Sequence, residues 1–114
     1  MKIVDLSVFK EETLDFKLLN GEIIKTLKPT ERMIIQLTAF QSIDSAEMTE
    51  ADYFRLVDKI VLMILSNNTE KRAFKKEDIK EFTIDMKTAI IENFFVFCAK
   101  VTSAKNSMSL QSRQ

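Results

Sequence analysis

Histidine is absent from the 114 residues, and cysteine, glycine and proline occur once each. Without an imidazole there is no Ser-His-Asp or Cys-His nucleophile system and no histidine-ligated zinc site. The single thiol, Cys98, has no second cysteine to pair with and lies in the apolar stretch "ENFFVFCAKV", a cytosolic usage in which it serves as packing. The single glycine, Gly21, stands in a turn dipeptide, so no glycine-rich loop exists to cradle a phosphate. Seventeen basic residues balance seventeen acidic ones, so no net field draws the chain to nucleic acid or an anionic membrane. Long apolar runs are also missing. Ile60 to Leu65 is far short of the roughly 20 residues that span a bilayer, and "MKIVDLSVFKEETLDF" interrupts its apolar residues with charges, unlike a secretory leader. The expectation is a soluble intracellular protein with no cofactor, no metal and no small-molecule ligand.

What is present reads as one domain over residues 1–104 and a polar tail over 105–114 with too little to bury to be ordered. "TLDFKLLNGEIIKTLK" holds two alternating runs joined by Asn20-Gly21, the pair that suits a two-residue type I′ turn. That loop would place Leu14, Phe16 and Leu18 opposite Leu27, Lys25 and Ile23 on a face to be buried. A lone hairpin is marginal in water, so the apolar face must lie on helices, another subunit or a third strand, for which "KIVDLSVF" is a candidate. Pro29 cannot continue the strand, and Thr30 is suited to cap a helix of about 11 residues carrying Met33, Ile34, Leu37 and Phe40 at helical spacing.

Thr49-x-x-Asp52 resembles a capping box ahead of a second helix, "EADYFRLVDKIVLMILSN", with a stripe of Tyr53, Leu56, Val57, Ile60, Val61 and Ile64. Phe54, Leu62, Met63 and Leu65 fall outside that stripe. A short third helix is predicted over Lys76 to Phe82. A fourth, "IDMKTAIIENFFVFCAKVTSA", would be capped by Thr83 or Asp85. The fold class is therefore α+β and mostly helical, with the hairpin packed on about four α-helices. From Phe94 to Ala99 every side chain of the last helix is apolar, so no rotation leaves a polar face. Such a segment is a buried central helix, a protein–protein surface or the wall of a small-molecule pocket.

The paired acids Glu11-Glu12 and Glu77-Asp78, with Glu81, sit in charged segments with no sign of the burial that general acid–base chemistry requires. The one basic cluster, Lys71, Arg72, Lys75 and Lys76, has Glu70, Glu77 and Asp78 beside it and reads as a solvated loop; a DNA-binding helix-turn-helix is the competing account.

"LDFKLLNGEIIKTLKPTERMIIQL", "RLVDKIVLMILSNN" and "FKKEDIKEFTIDMKTAIIENFFVF" together resemble the small tail assembly chaperones of long-tailed phages and prophages of Gram-positive bacteria, over roughly residues 10–100. The resemblance is one of layout: a hairpin, Lys28-Pro29 opening a helix, "ILSNN", then "F-x-x-E-D-I" before a last apolar helix. It implies a non-enzymatic protein of the host cell cytoplasm that binds the tape-measure protein and keeps it from aggregating during tail assembly. Self-association into homo-oligomers through hairpin edges and apolar helix surfaces is implied as well. On this reading the partner-binding set is Phe54, Leu62, Met63, Leu65, Phe95, Val96 and Cys98. A slippage heptamer at Ala104-Lys105-Asn106 is a matching expectation for the gene. A small phage transcriptional regulator and a structural virion subunit are the alternatives.

Overall fold

The computed structural model describes residues 2–6 and 12–112, with side chains described over 2–6, 12–44 and 46–99. Strand β1 (Leu14–Lys17) pairs antiparallel with β2 (Ile23–Thr26), and three α-helices follow: α1 (Glu31–Gln41), α2 (Glu50–Ser66) and α3 (Ile84–Ser112). Short 3-10 turns at Ser45–Glu47 and Lys76–Ile79 precede α2 and α3. The class is α+β as expected, with three α-helices rather than four.

The hairpin forms where Asn-Gly predicts it, in a register one residue away. Leu14 pairs with Thr26, Phe16 with Ile24 and Lys17 with Ile23. The connection is a three-residue loop: Gly21 N–H donates to Leu18 O at 2.9 Å and Leu18 N–H to Glu22 O at 2.8 Å, while Asn20 Oδ1 accepts from Glu22 N–H at 2.9 Å. A type I′ turn needs positive φ at both central residues, and here Gly21 alone supplies it, at +87°. The slip of one residue turns β2 over. It carries Ile24 and Thr26 inward, at 3% and 0% exposure, and moves Lys25 and Ile23 out. The expected register would have buried a lysine against the core, at a large desolvation cost. The hydroxyl that replaces it is satisfied by donating to Leu14 O at 2.5 Å.

The outer edge of β2 is covered by the chain itself. Leu27 N–H donates to Asn67 O at 2.8 Å, Thr69 N–H donates to Lys25 O at 3.0 Å, and Thr26 and Asn68 form an antiparallel bridge. The segment after α2 thus takes the place expected of an N-terminal third strand. Residues 2–6 of that segment are not a strand, and the rest of "KIVDLSVF" lies outside the described residues.

At the strand-to-helix junction Thr30 is extended, and its Oγ1 accepts from Met33 N–H at 3.3 Å, which caps α1. Asn67, forty residues on, donates from Nδ2 to Leu27 O at 3.1 Å and Lys28 O at 3.2 Å, tying the junction to the end of α2. Thr49 caps α2 by accepting from Asp52 N–H at 3.1 Å. The Asp52 carboxylate pairs with Arg55 at 2.9 Å.

The segment expected as a helix over Lys76 to Phe82 is a single 3-10 turn. Asp78 bonds back to Lys75 N–H at 2.8 Å, and three residues beyond Lys80 Thr83 already caps the next helix by accepting from Met86 N–H at 3.2 Å. That leaves only Lys80 to Phe82 between the end of the turn and the cap of α3. Backbone helix continues to Ser112, through residues 105–112 that were expected to be a disordered tail; that stretch contains neither proline nor glycine, so no residue type there stops a helix already under way.

The core is centred on α2. Val61, Ile64 and Leu65 on α2 and Phe94 on α3 are all 0% exposed, with Ile24, Leu37, Val57 and Ile79 close behind. The two helices are further joined by Lys87 and Asp58, 2.6 Å apart and mostly buried, an ion contact without hydrogen-bond geometry at Asp58 Oδ1. Helix α1 stands farther from this pair and reaches it through Met33 and Leu37.

The turn after α2 holds one strained residue. Lys71 adopts φ of +56°, in the left-handed region that costs a side-chain-bearing residue about 1 kcal/mol. Lys71→Gly is expected to raise stability by about 0.5–1 kcal/mol, read as an upward shift of the urea midpoint.

Candidate interaction surface

Because α1 approaches the α2–α3 pair through only two buried side chains, both of its flanks are open. Between α1 and α2 lies an apolar groove of about 340 Å³ formed by Ala39, Phe40, Ile43, Leu56, Ile60 and Met63, with Gln36 and Lys59 on its walls. Between α1 and α3 lies a second, of about 240 Å³, formed by Ile34, Leu37, Phe95, Cys98 and Ala99, with Thr38 and Gln41. Phe40 stacks on Tyr53 at a centroid separation of 6.5 Å, and Tyr53 in turn meets Phe54 at 6.2 Å, so the first groove continues into an aromatic rim.

The seven residues expected to face a partner divide into three groups. Phe54 and Val96 are exposed, at 41% and 61%. Leu62, Met63, Phe95 and Cys98 are half-buried at the edge of the core; Met63 lines the α1–α2 groove, and Phe95 and Cys98 line the α1–α3 groove. Leu65 is a correction: at 0% exposure it belongs to the core. It lay outside the stripe drawn on the helical period, but α2 is packed by β2 and the Lys76–Ile79 turn as well as by α3 near its C-terminal end, which widens the buried arc.

Three further exposed apolar residues belong to this surface: Ile34, Ile35 and Ile43, at 37%, 63% and 40%. The adjacency of Ile34 and Ile35 carried the signal, since two neighbours on a helix 100° apart cannot both share the arc that holds Met33 and Leu37.

Burial pushes the Cys98 thiol up from 9.0 to about 11, an effect its own backbone hydrogen bond only partly opposes. The folded state therefore holds the proton more tightly than the unfolded chain. The sign follows: between pH 9 and 11 the unfolded state is the one that ionises, so stability falls as pH rises through that window. Alkylation by iodoacetamide is expected to be slow in the native protein at pH 8, to accelerate only toward pH 11, and to be fast from about pH 9 in urea.

Within the basic cluster Arg72 is engaged in structure, while Lys71, Lys75 and Lys76 are exposed. Arg72 pairs with Glu22 and lies 4.5 Å over the Phe74 ring, which fastens the loop to the hairpin tip. The helical element after this loop is one 3-10 turn, too short to enter a DNA groove as a recognition helix. No helix of the described residues is long and apolar enough to cross a membrane.

No protein-family model, curated protein or solved structure matches this chain.

Proposed function

We propose that this chain is a tail assembly chaperone of a long-tailed phage or prophage, acting in the host cell cytoplasm to bind the tape-measure protein by covering its apolar helical segments. The observation that carries the reading is the pair of apolar grooves flanking α1, with Ile35 exposed between them and Phe54 beside them. Grooves lined by aliphatic, methionine and aromatic side chains, with few fixed polar groups, suit an amphipathic helix read by its apolar stripe. The flexible side chain of Met63 repacks readily, which suits a client of varied sequence.

The test is co-expression with the long helical tape-measure protein expected from the neighbouring gene. The wild-type chain is expected to keep that client in the soluble fraction and to co-purify with it. Ile34→Asp and Ile43→Asp, one in each groove and both partly exposed, are expected to reduce co-purification at least about tenfold while leaving the thermal midpoint within a few degrees. A client equally soluble without the chain, or bound equally by both variants, overturns the reading.

A further inference from the structure

A third groove, of about 280 Å³, lies away from α1, between the hairpin and α3, walled by Phe16, Leu18, Leu19, Met86 and Ile90. Leu19 and Met86 on its rim are 60% and 37% exposed. The N-terminal arm, residues 2–6, shows the complementary deficiency: Ile3, Val4 and Leu6 are 85%, 63% and 70% exposed and stand unseated in this copy. We propose that the arm seats Ile3, Val4 and Leu6 in the hairpin–α3 groove of a second copy, which returns its own arm, so that two chains form a closed two-fold pair.

Topology favours this groove over the two beside α1. The arm leads into β1, and Phe16 and Lys17 of β1 are themselves part of the groove wall. The root of the donated segment and the accepting site therefore share one side of the molecule, the condition for an isologous exchange to close on itself rather than propagate. Eight residue steps separate Leu6 from Leu14, a reach of up to about 25 Å, enough to cross to a neighbour. The groove is apolar apart from Lys17 and Asn93, so it accepts three aliphatic side chains without stranding an acidic group. The α1 grooves stay open in such a pair, so client binding and pairing are separable.

Sedimentation equilibrium from about 1 to 200 µM tests the pairing, a range that brackets a micromolar dissociation constant. The wild-type chain is expected to sediment as a dimer in the upper part of the range. Ile3→Asp, Leu6→Asp and Met86→Asp are each expected to weaken association at least about 100-fold; all three positions are exposed, so folding, followed by circular dichroism, is expected to be unchanged. Exchange is read directly on a Cys98→Ser background by mixing a tagged chain carrying Leu6→Cys with an untagged chain carrying Leu19→Cys, which is expected to give a mixed disulfide under mild oxidation. A wild-type monomer throughout the range, a dimer unaffected by the arm variants, or a disulfide formed preferentially within one chain carrying both cysteines overturns the proposal.

Discussion

Asn68→Leu is expected to lower the unfolding free energy by about 3–4 kcal/mol, out of the roughly 6–15 kcal/mol typical of a chain this size. Asn68 is 4% exposed, and all its amide capacity is used: Nδ2 donates to Leu65 O and to Arg72 O, each at 2.8 Å, while Oδ1 accepts from Arg72 N–H at 3.0 Å and Glu70 N–H at 3.1 Å. Leucine fills a similar space but leaves two carbonyls and two N–H groups without partners. Each costs about 1–3 kcal/mol if water cannot reach it, and the exposed position of Glu70 lets water relieve part of that total. A fall of roughly 2 M in the urea midpoint is the expected reading. Faster amide exchange at Leu27 and Thr69, whose hydrogen bonds hold the post-α2 segment to β2, is expected to accompany it. A loss under about 1 kcal/mol would show that the amide is dispensable to the turn.

The second large effect separates neighbours on α3. Phe94→Ala is expected to cost about 3–5 kcal/mol, whereas Val96→Asp, two residues on, is expected to change stability by less than about 0.5 kcal/mol. Phe94 is 0% exposed and meets Phe97 at 6.0 Å, while Val96 is 61% exposed. Chemical denaturation of the two variants side by side is the measurement. Equal destabilisation by both would place Val96 in a packed environment and remove it from any partner-facing surface.

That contrast also shows where the sequence runs out. The run from Phe94 to Ala99 announces more apolar surface than one helix face can bury, but a run apolar on every side has no periodicity from which to read orientation. Only the packing of α2 decides that Phe94 and Phe97 go inward and Val96 outward. Local signals fared better where one residue's chemistry settles the matter. Pro29 and Thr30 mark the start of α1 and Thr49 the start of α2, while of the two candidates for the start of α3, Thr83 and Asp85, it is Thr83 that caps it.

The hairpin register turned on a choice that Asn20-Gly21 leaves open, since a glycine with positive φ serves a two-residue and a three-residue loop alike. The Lys76 to Phe82 stretch has apolar residues at helical spacing, yet only Lys76 to Ile79 form a turn and Thr83 opens the next helix three residues after Lys80. Least legible was the cover on β2, made by Asn67 to Thr69 from some forty residues away, because hydrogen bonds between backbones leave no mark on composition. For the interaction surface, composition revealed a surplus of apolar side chains. It did not reveal that α1, whose Ile34 reads as one of the core-facing residues at helical spacing, stands between two grooves.

The lid that the post-α2 turn places over β2 limits how the protein can stack. A ribbon of two strands ordinarily has a pair of unsatisfied rims, and two sticky rims are what allow subunits to add end over end without stopping. Here one rim is sealed from within, so lateral growth through the sheet has at most a single open side and terminates after one addition. A large assembly of these chains would have to be built through surfaces other than the rims of the sheet.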